Sequence, residues 1–188
     1  MENKKVINAL KYGNAFQKRA YNALEETGIF EKLEEFCPFL AGTIPLDIYH
    51  DQSDLDIICY SDNLDRFERI VTDLFVDRDE FKSYRSIIRG EESLIVQFAV
   101  NEVEFEVFCQ RVPIHEQYAV IHFKVEKLIL DNSSNRVREG IRALKATGLK
   151  TEPAFAKFFQ LEGDPYDALA LLDENRVREL IRLHDTHD

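Results

Sequence analysis

The chain of 188 residues has no tryptophan, one methionine and only three cysteines, and each shortage excludes something. Cys37, Cys59 and Cys109 are odd in number and far apart. They offer neither a closed disulfide framework nor the close-spaced thiolates of a zinc site. The expectation is free thiols in a reducing cytoplasm, with Cys59 and Cys109 buried near strand ends. No apolar run approaches the roughly 20 residues that span a bilayer. The opening Met-Glu-Asn-Lys-Lys lacks the apolar stretch of a secretion signal. Both points lead to the expectation of a cytoplasmic chain with no membrane partner. Positive charge is scarce as well: 24 Lys and Arg against 35 Asp and Glu, a net charge of −11. A surface of that sign repels polyanions, which argues against extended nucleic acid as a partner. One basic stretch, residues 136–150, carries Arg136, Arg138, Arg142, Lys145 and Lys150 and could serve an RNA end if it faced a cleft.

What is plentiful is phenylalanine, 14 residues within a 45% hydrophobic composition, enough for a globular core of Phe, Leu, Ile and Val. The length suits one domain, or one domain with a helical appendage. Periodicity predicts helix over 4–27, interrupted at Gly13-Asn14, and a short helix from Phe30 to Phe36 before Pro38. Strands are expected at Phe39 to Ala41 and Leu55 to Tyr60, then a helix over 63–76. Further strands are expected at 82–89 and 93–100 around Gly90-Glu91-Glu92, and one at Val103 to Phe108 after an Asn101-Glu102 turn. After Pro113 the pattern is helical: 115–130, a helix capped by Ser133 or Ser134 and stopped at Gly148, one from Thr151 to about Leu161, one opened by Asp164-Pro165, and 174–184. The expected class is therefore α+β, a mixed sheet flanked by helices with a helical C-terminal half. Residues 1–112 would form the sheet core and 113–188 a helical region packed on it as one compact unit.

The chemistry concentrates in Gly42-Thr43 and, ten residues on, Asp54-Leu55-Asp56 at the start of a strand. Asp-x-Asp on a strand sends both carboxylates to one face, with Leu55 and Ile57 opposite. Paired carboxylates repel each other until a divalent cation sits between them, and Mg²⁺ takes such oxygens together with substrate phosphates. A Gly-Thr turn offers backbone N–H groups and a hydroxyl to those phosphates. Glu104 and Glu106 share a face on the later strand, so either could complete a metal cluster or act as general base. Strand parity does not choose between them; Glu106 is preferred. Asp47 and Asp51 lie in the intervening loop and fit turn positions or contacts to a second ion.

This pattern resembles the signature of the nucleotidyltransferase superfamily with the polymerase-beta-like fold: Gly-Ser, a spacer, Asp-x-Asp, and a third acidic residue on a later strand. Thr43 stands where Ser is usual and keeps the hydroxyl, while a glutamate stands where the third carboxylate is most often Asp. The signature covers roughly residues 40–110. Three stretches, Leu40 to Asp47, Ser53 to Cys59 and Gly148 to Phe155, also resemble a small bacterial family of unassigned function. The resemblance implies a nucleotide-binding transferase with Mg²⁺ or Mn²⁺ on Asp54, Asp56 and Glu106 or Glu104. Gly42 and Thr43 would hold the phosphates of a nucleoside triphosphate, and Lys150 would add a contact. The triphosphate would pass its nucleoside monophosphate to an unidentified acceptor, a hydroxyl of a small molecule or a protein. The alternative is a catalytically inactive nucleotide-binding or protein-interaction domain, for example of a toxin–antitoxin pair.

Other polar residues are more ordinary. His122 and Glu126 are four apart on a helix and can interact, with Gln117 a turn earlier. A hydrogen-bonded structural histidine is favoured over one that moves a proton. Arg85, Arg89 and Arg142, and with less weight Gln17 and Arg19, are further candidates to meet a phosphate, each with surface solubility as its plain reading.

Overall fold

A computed structural model describes residues 2–50 and 52–185, so Asp51 lies outside the described residues. The chain divides into two compact units: the described residues up to Pro45 with Ser53–Gln117, and Leu46–Gln52 with Tyr118 onward. The first unit runs α1 (Glu2–Leu10), α2 (Ala15–Thr27), α3 (Ile29–Lys32), β1 (Phe39–Leu40), β2 (Leu55–Tyr60), α4 (Leu64–Phe75), β3 (Asp79–Ile88), β4 (Glu91–Val100) and β5 (Val103–Gln110). The second holds α5 (Tyr118–Asn132), α6 (Asn135–Ala146), α7 (Thr151–Phe158), α8 (Pro165–Ala170) and α9 (Glu174–His184). Among the described residues no helix is long and apolar enough to cross a membrane.

Local chemistry sets the element ends. The Gly13-Asn14 interruption separates two helices because Asn14 starts α2 afresh. Its side chain accepts from the Gln17 N–H at 3.0 Å, while Gln17 Oε1 accepts from the Asn14 N–H at 3.1 Å. Such a reciprocal cap is worth about 1 kcal/mol. Gly28, at φ 58°, closes α2. The predicted helix over 30–36 is instead the short α3 and a 3₁₀ turn at Glu34–Phe36. The helix expected from 115 begins at Tyr118, after a 3₁₀ turn at Ile114–Glu116. Gln117 breaks the run: its backbone is extended and its Nε2 donates to the carbonyls of Cys59 (2.9 Å) and Val112 (2.8 Å). α7 stops at Phe158 rather than near 161, with Gln160 left-handed and the Leu161 N–H closing onto Ala156 O. β3 starts at Asp79, earlier than expected, with a bulge between Asp79 and Lys82. Its hairpin turns at Arg89-Gly90, both at positive φ, so Glu91 and Glu92 belong to β4.

The five strands form one mixed sheet in the order β1-β2-β5-β4-β3. β2 and β5 run parallel; the other neighbours are antiparallel. Alternation gives the sheet two chemically distinct faces. Leu55, Ile57 and Cys59 lie in register with Phe105, Val107 and Cys109, and these with Phe98, Val96 and Leu94, all buried. Phe75 of α4 stacks on Phe98 at 4.8 Å, and Phe98 on Phe105 at 4.9 Å. Each fully buried phenylalanine contributes about 1.5–3 kcal/mol. On β3, Ser83 and Arg85 reach Glu68 of α4 on this side.

In the second unit both ring nitrogens of His122 have partners. His122 Nε2 donates to Tyr166 O at 2.9 Å, and Nδ1 lies 3.2 Å from Glu152 Oε1. The ring nitrogens thus turn to α7 and α8. Burial by itself would raise the Glu152 carboxyl, but the His122 hydrogen bond, a backbone hydrogen bond and the electrostatic effect of His122 and Lys145 outweigh it and hold it below its ordinary 4.5. A carboxyl lower in the folded than in the unfolded chain stabilises the fold at pH above 4.5, and this contribution fades as pH falls through the lowered value. Glu152→Gln is therefore expected to lower stability at neutral pH and to flatten its decline below pH 4.5, measured by urea unfolding across pH. Parallel pH curves for the two chains would refute the assignment.

Candidate active site

The parallel register of β2 and β5 places Asp56 directly beside Glu106, and Leu55 beside Phe105. Because Leu55 and Phe105 enter the core, Asp56 and Glu106 emerge on the opposite face. Asp54, one residue before β2, shares their parity. Asp54, Asp56 and Glu106 each bring a carboxylate oxygen within 4.8 Å of the other two, and all three are half-buried. At an effective dielectric of about 20, charges this close repel by on the order of 3 kcal/mol per pair, less where water reaches them. An all-oxygen, triply anionic set is what a hard divalent cation fits.

Glu104 points to the same side, opposite Ala99, but is exposed and stands outside this group. With Asp54, Lys82 and Gln97 it lines a small cavity. Gln97 lies across from Glu106 on β4, and its Nε2 donates to Glu106 Oε2 at 2.9 Å. Partial burial, and after it the negative charge of Glu106, raise the Tyr84 phenol above its ordinary value.

Gly42 follows β1 at φ 75°, a conformation glycine adopts without strain. The neighbouring Ala41 N–H donates to Asp56 O at 2.9 Å, so this turn lies against β2. A Cβ at Gly42 would stand 1.8 Å from Asp56 Oδ2 and 2.8 Å from its Cγ. The missing side chain is the space the Asp56 carboxylate occupies. Thr43 Oγ1 donates to Ser53 Oγ at 3.3 Å, linking the two ends of the spacer, and Gln17 Nε2 donates to Ile44 O at 2.9 Å. Gln17 is thus a buried anchor for the backbone after Gly42-Thr43.

Several other candidates have protein partners. Arg85 is held by Asp65 (2.5 Å), Glu68 (2.7 Å) and Glu92 (3.2 Å). In the second unit, Arg142 pairs with the Asp47 carboxylate at 2.6 Å and, with Arg138, donates to the carbonyls of Asp47 and Leu46. Arg136 donates to His184 O and Lys145 to Thr151 Oγ1. Lys150 occupies the N-cap of α7 in that unit, and Arg19 lies over the ring of Phe16. Sequence reasoning missed Gln97, Ser53 and the anchoring by Gln17. Gln97 had a signal: it is the polar residue in the run Leu94-Ile95-Val96-Gln97-Phe98-Ala99-Val100.

A family profile described as "Domain of unknown function (DUF4269)" matches residues 22–172. No curated protein matches the chain in sequence. Among solved structures, the chain is similar to the Cid1 poly(U) polymerase bound to MgATP. The TM-score is 0.53 and the identity 10%, over 89% of this chain and 53% of that one. It is similar to the polymerase core of TRAMP, an RNA surveillance complex, at TM-score 0.53 and 14% identity, covering 95% and 62%. It is also similar to a chain of the GLD-2/RNP-8 complex, at TM-score 0.54 and 12% identity, covering 99% and 74%. The chain spans about half the length of the Cid1 chain. Identities this low speak to the fold alone. That fold is the polymerase-beta-like nucleotidyltransferase fold.

The contact of Gly42 with Asp56 makes a direct prediction. Gly42→Ala is expected to cost about 1–2 kcal/mol for the left-handed backbone alone, and more for the displaced carboxylate. In an Asp56→Ala background only the backbone part should remain. Equilibrium urea unfolding of the two single variants and the double variant measures this coupling, and additive effects would refute the contact.

Proposed function

We propose that this chain, which belongs to the DUF4269 family, is a metal-dependent nucleotidyltransferase. It would move a nucleoside monophosphate from a nucleoside triphosphate to a hydroxyl of a small molecule or a protein. The observation that carries the proposal is the convergence of Asp54, Asp56 and Glu106 within 4.8 Å, beside the Gly42 turn. Asp54, Asp56 and Glu106 would hold Mg²⁺ or Mn²⁺, which suit this oxygen donor set. Such an ion, when bound, neutralises triphosphate charge and acidifies an acceptor hydroxyl.

The remaining work falls to the chain's own groups. Gly42 and Thr43 offer a backbone without a Cβ and a hydroxyl to the phosphates. Glu104 lines the small cavity with Asp54, outside the convergent group, and would take the acceptor's proton. Attack by the acceptor oxygen on the α-phosphorus would break its bond to the bridging oxygen and release pyrophosphate. Rate then depends on positioning and charge stabilisation.

Charge supports a small-molecule or protein acceptor over an extended nucleic acid. The net charge is −11, and Arg136, Arg138, Arg142 and Lys145 of the basic stretch have partners within their own unit. The test is calorimetric titration of each nucleoside triphosphate with Mg²⁺ into the wild type and into Asp54→Ala/Asp56→Ala. One triphosphate is expected to bind the wild type and to lose at least about 100-fold in affinity in the variant, whose circular dichroism stays unchanged. Equal binding by both proteins, or no triphosphate bound by the wild type, would overturn the proposal.

A further inference from the structure

Four residues from four adjacent strands stand in one row on the face of the sheet opposite Leu55 and Phe105: Asp56, Glu106, Gln97 and Lys82. The row is fixed locally on one side. β4 and β5 are joined by Asn101-Glu102, both left-handed at φ 51° and 62°, the geometry of a two-residue hairpin turn. That turn sets Val100 opposite Val103, and therefore Gln97 opposite Glu106. Asn101 Nδ2 also donates to Glu26 Oε2 at 2.6 Å, which ties the turn to α2.

Glu106 has the longest arm of the three converging carboxylates and the most torsions to lose on being ordered. A ligand of that kind needs a partner that orients it. Gln97 meets the need in a specific way. Its amide donates to one oxygen, Oε2, and carries no charge that would cancel the carboxylate's. It also stands between Glu106 and Lys82 in the row. Lysine in place of the amide would pair with Glu106 and compete with a cation for it. Gln97 itself sits in a strand segment that is otherwise apolar, where an amide is retained at a cost unless it makes its hydrogen bond.

We infer that Gln97 is a positioning residue: it holds Glu106 in the orientation that joins Asp54 and Asp56, and so sets the affinity of the carboxylate group for a divalent cation. The inference rests on the metal reading of that group. Binding of Mn²⁺ alone, followed by electron paramagnetic resonance on the full chain, tests it without any assay of turnover. Gln97→Leu is expected to weaken Mn²⁺ binding by about 10-fold to 100-fold, the usual loss on removing a partner behind a metal ligand. Gln97→Met keeps the length of the side chain, adds no carboxylate and removes the donor, and the same loss is expected. It serves as the measurement if the leucine variant unfolds. In a Glu106→Gln background, Gln97→Leu is expected to have no further effect, because the ligand it positions has gone. Wild-type affinity in Gln97→Leu or Gln97→Met would overturn the positioning role. So would an equal loss in the Glu106→Gln background, which marks a merely structural residue. A wild type that takes up no Mn²⁺ would instead overturn the metal reading, and the positioning role with it.

Discussion

Parallel pairing of β2 with β5 is the constraint on which the candidate site depends. It sets Asp56 beside Glu106 while Leu55, Ile57, Phe105 and Val107 are drawn to the buried face. Burial of those four side chains is worth several kcal/mol. That gain holds two strands in a register their carboxylates alone would oppose. The acidic group exists because the apolar half of each strand dictates where the polar half stands. A slip of one residue would bury Asp56 and Glu106 and expose the core, so the register is strongly specified.

The second constraint is backbone proximity. The turn after β1 lies close enough to β2 for the Ala41 N–H to reach Asp56 O, and at that range only a glycine leaves room for the Asp56 carboxylate. Thr43, Ser53 and Gln17 extend the arrangement by linking the spacer's ends and anchoring Ile44 O. The Gly-Thr pair and the Asp-x-Asp pair are thus one structural unit, although ten residues separate Thr43 from Ser53.

Cations in the second unit have a different role from the one their clustering implied. Arg138 and Arg142 hold the backbone of Leu46 and Asp47, and Asp47, at φ 56°, returns its carboxylate to Arg142. Exposed pairs of this kind contribute about 0.2–1 kcal/mol each, so their value lies in fixing the shape of a loop. Arg85 serves β3 in the same way, joining an edge strand to α4 through Asp65 and Glu68. A charge run in sequence does not distinguish cations spent on their own fold from cations left for a ligand.

Local signals settled most elements by themselves. Period two marked β5, Asp164-Pro165 marked the start of α8, and Asp-x-Asp parity placed Asp54 and Asp56 on one face. These features depend on residues a few positions apart, and the chain carries them openly. The choice between Glu104 and Glu106 was not of that kind. The two share a face, and a register shift of two residues exchanges them without moving any side chain to the other face. Only the pairing of β5 with β2 put Glu106, not Glu104, into the group with Asp54 and Asp56. The Gly42 contact with Asp56, the turning of His122 to Glu152 and Tyr166, and the Gln97 bond to Glu106 likewise join residues distant in sequence. Composition and periodicity carry no information about such distances. They are fixed when the sheet and the helices pack, and the tertiary structure alone decides them.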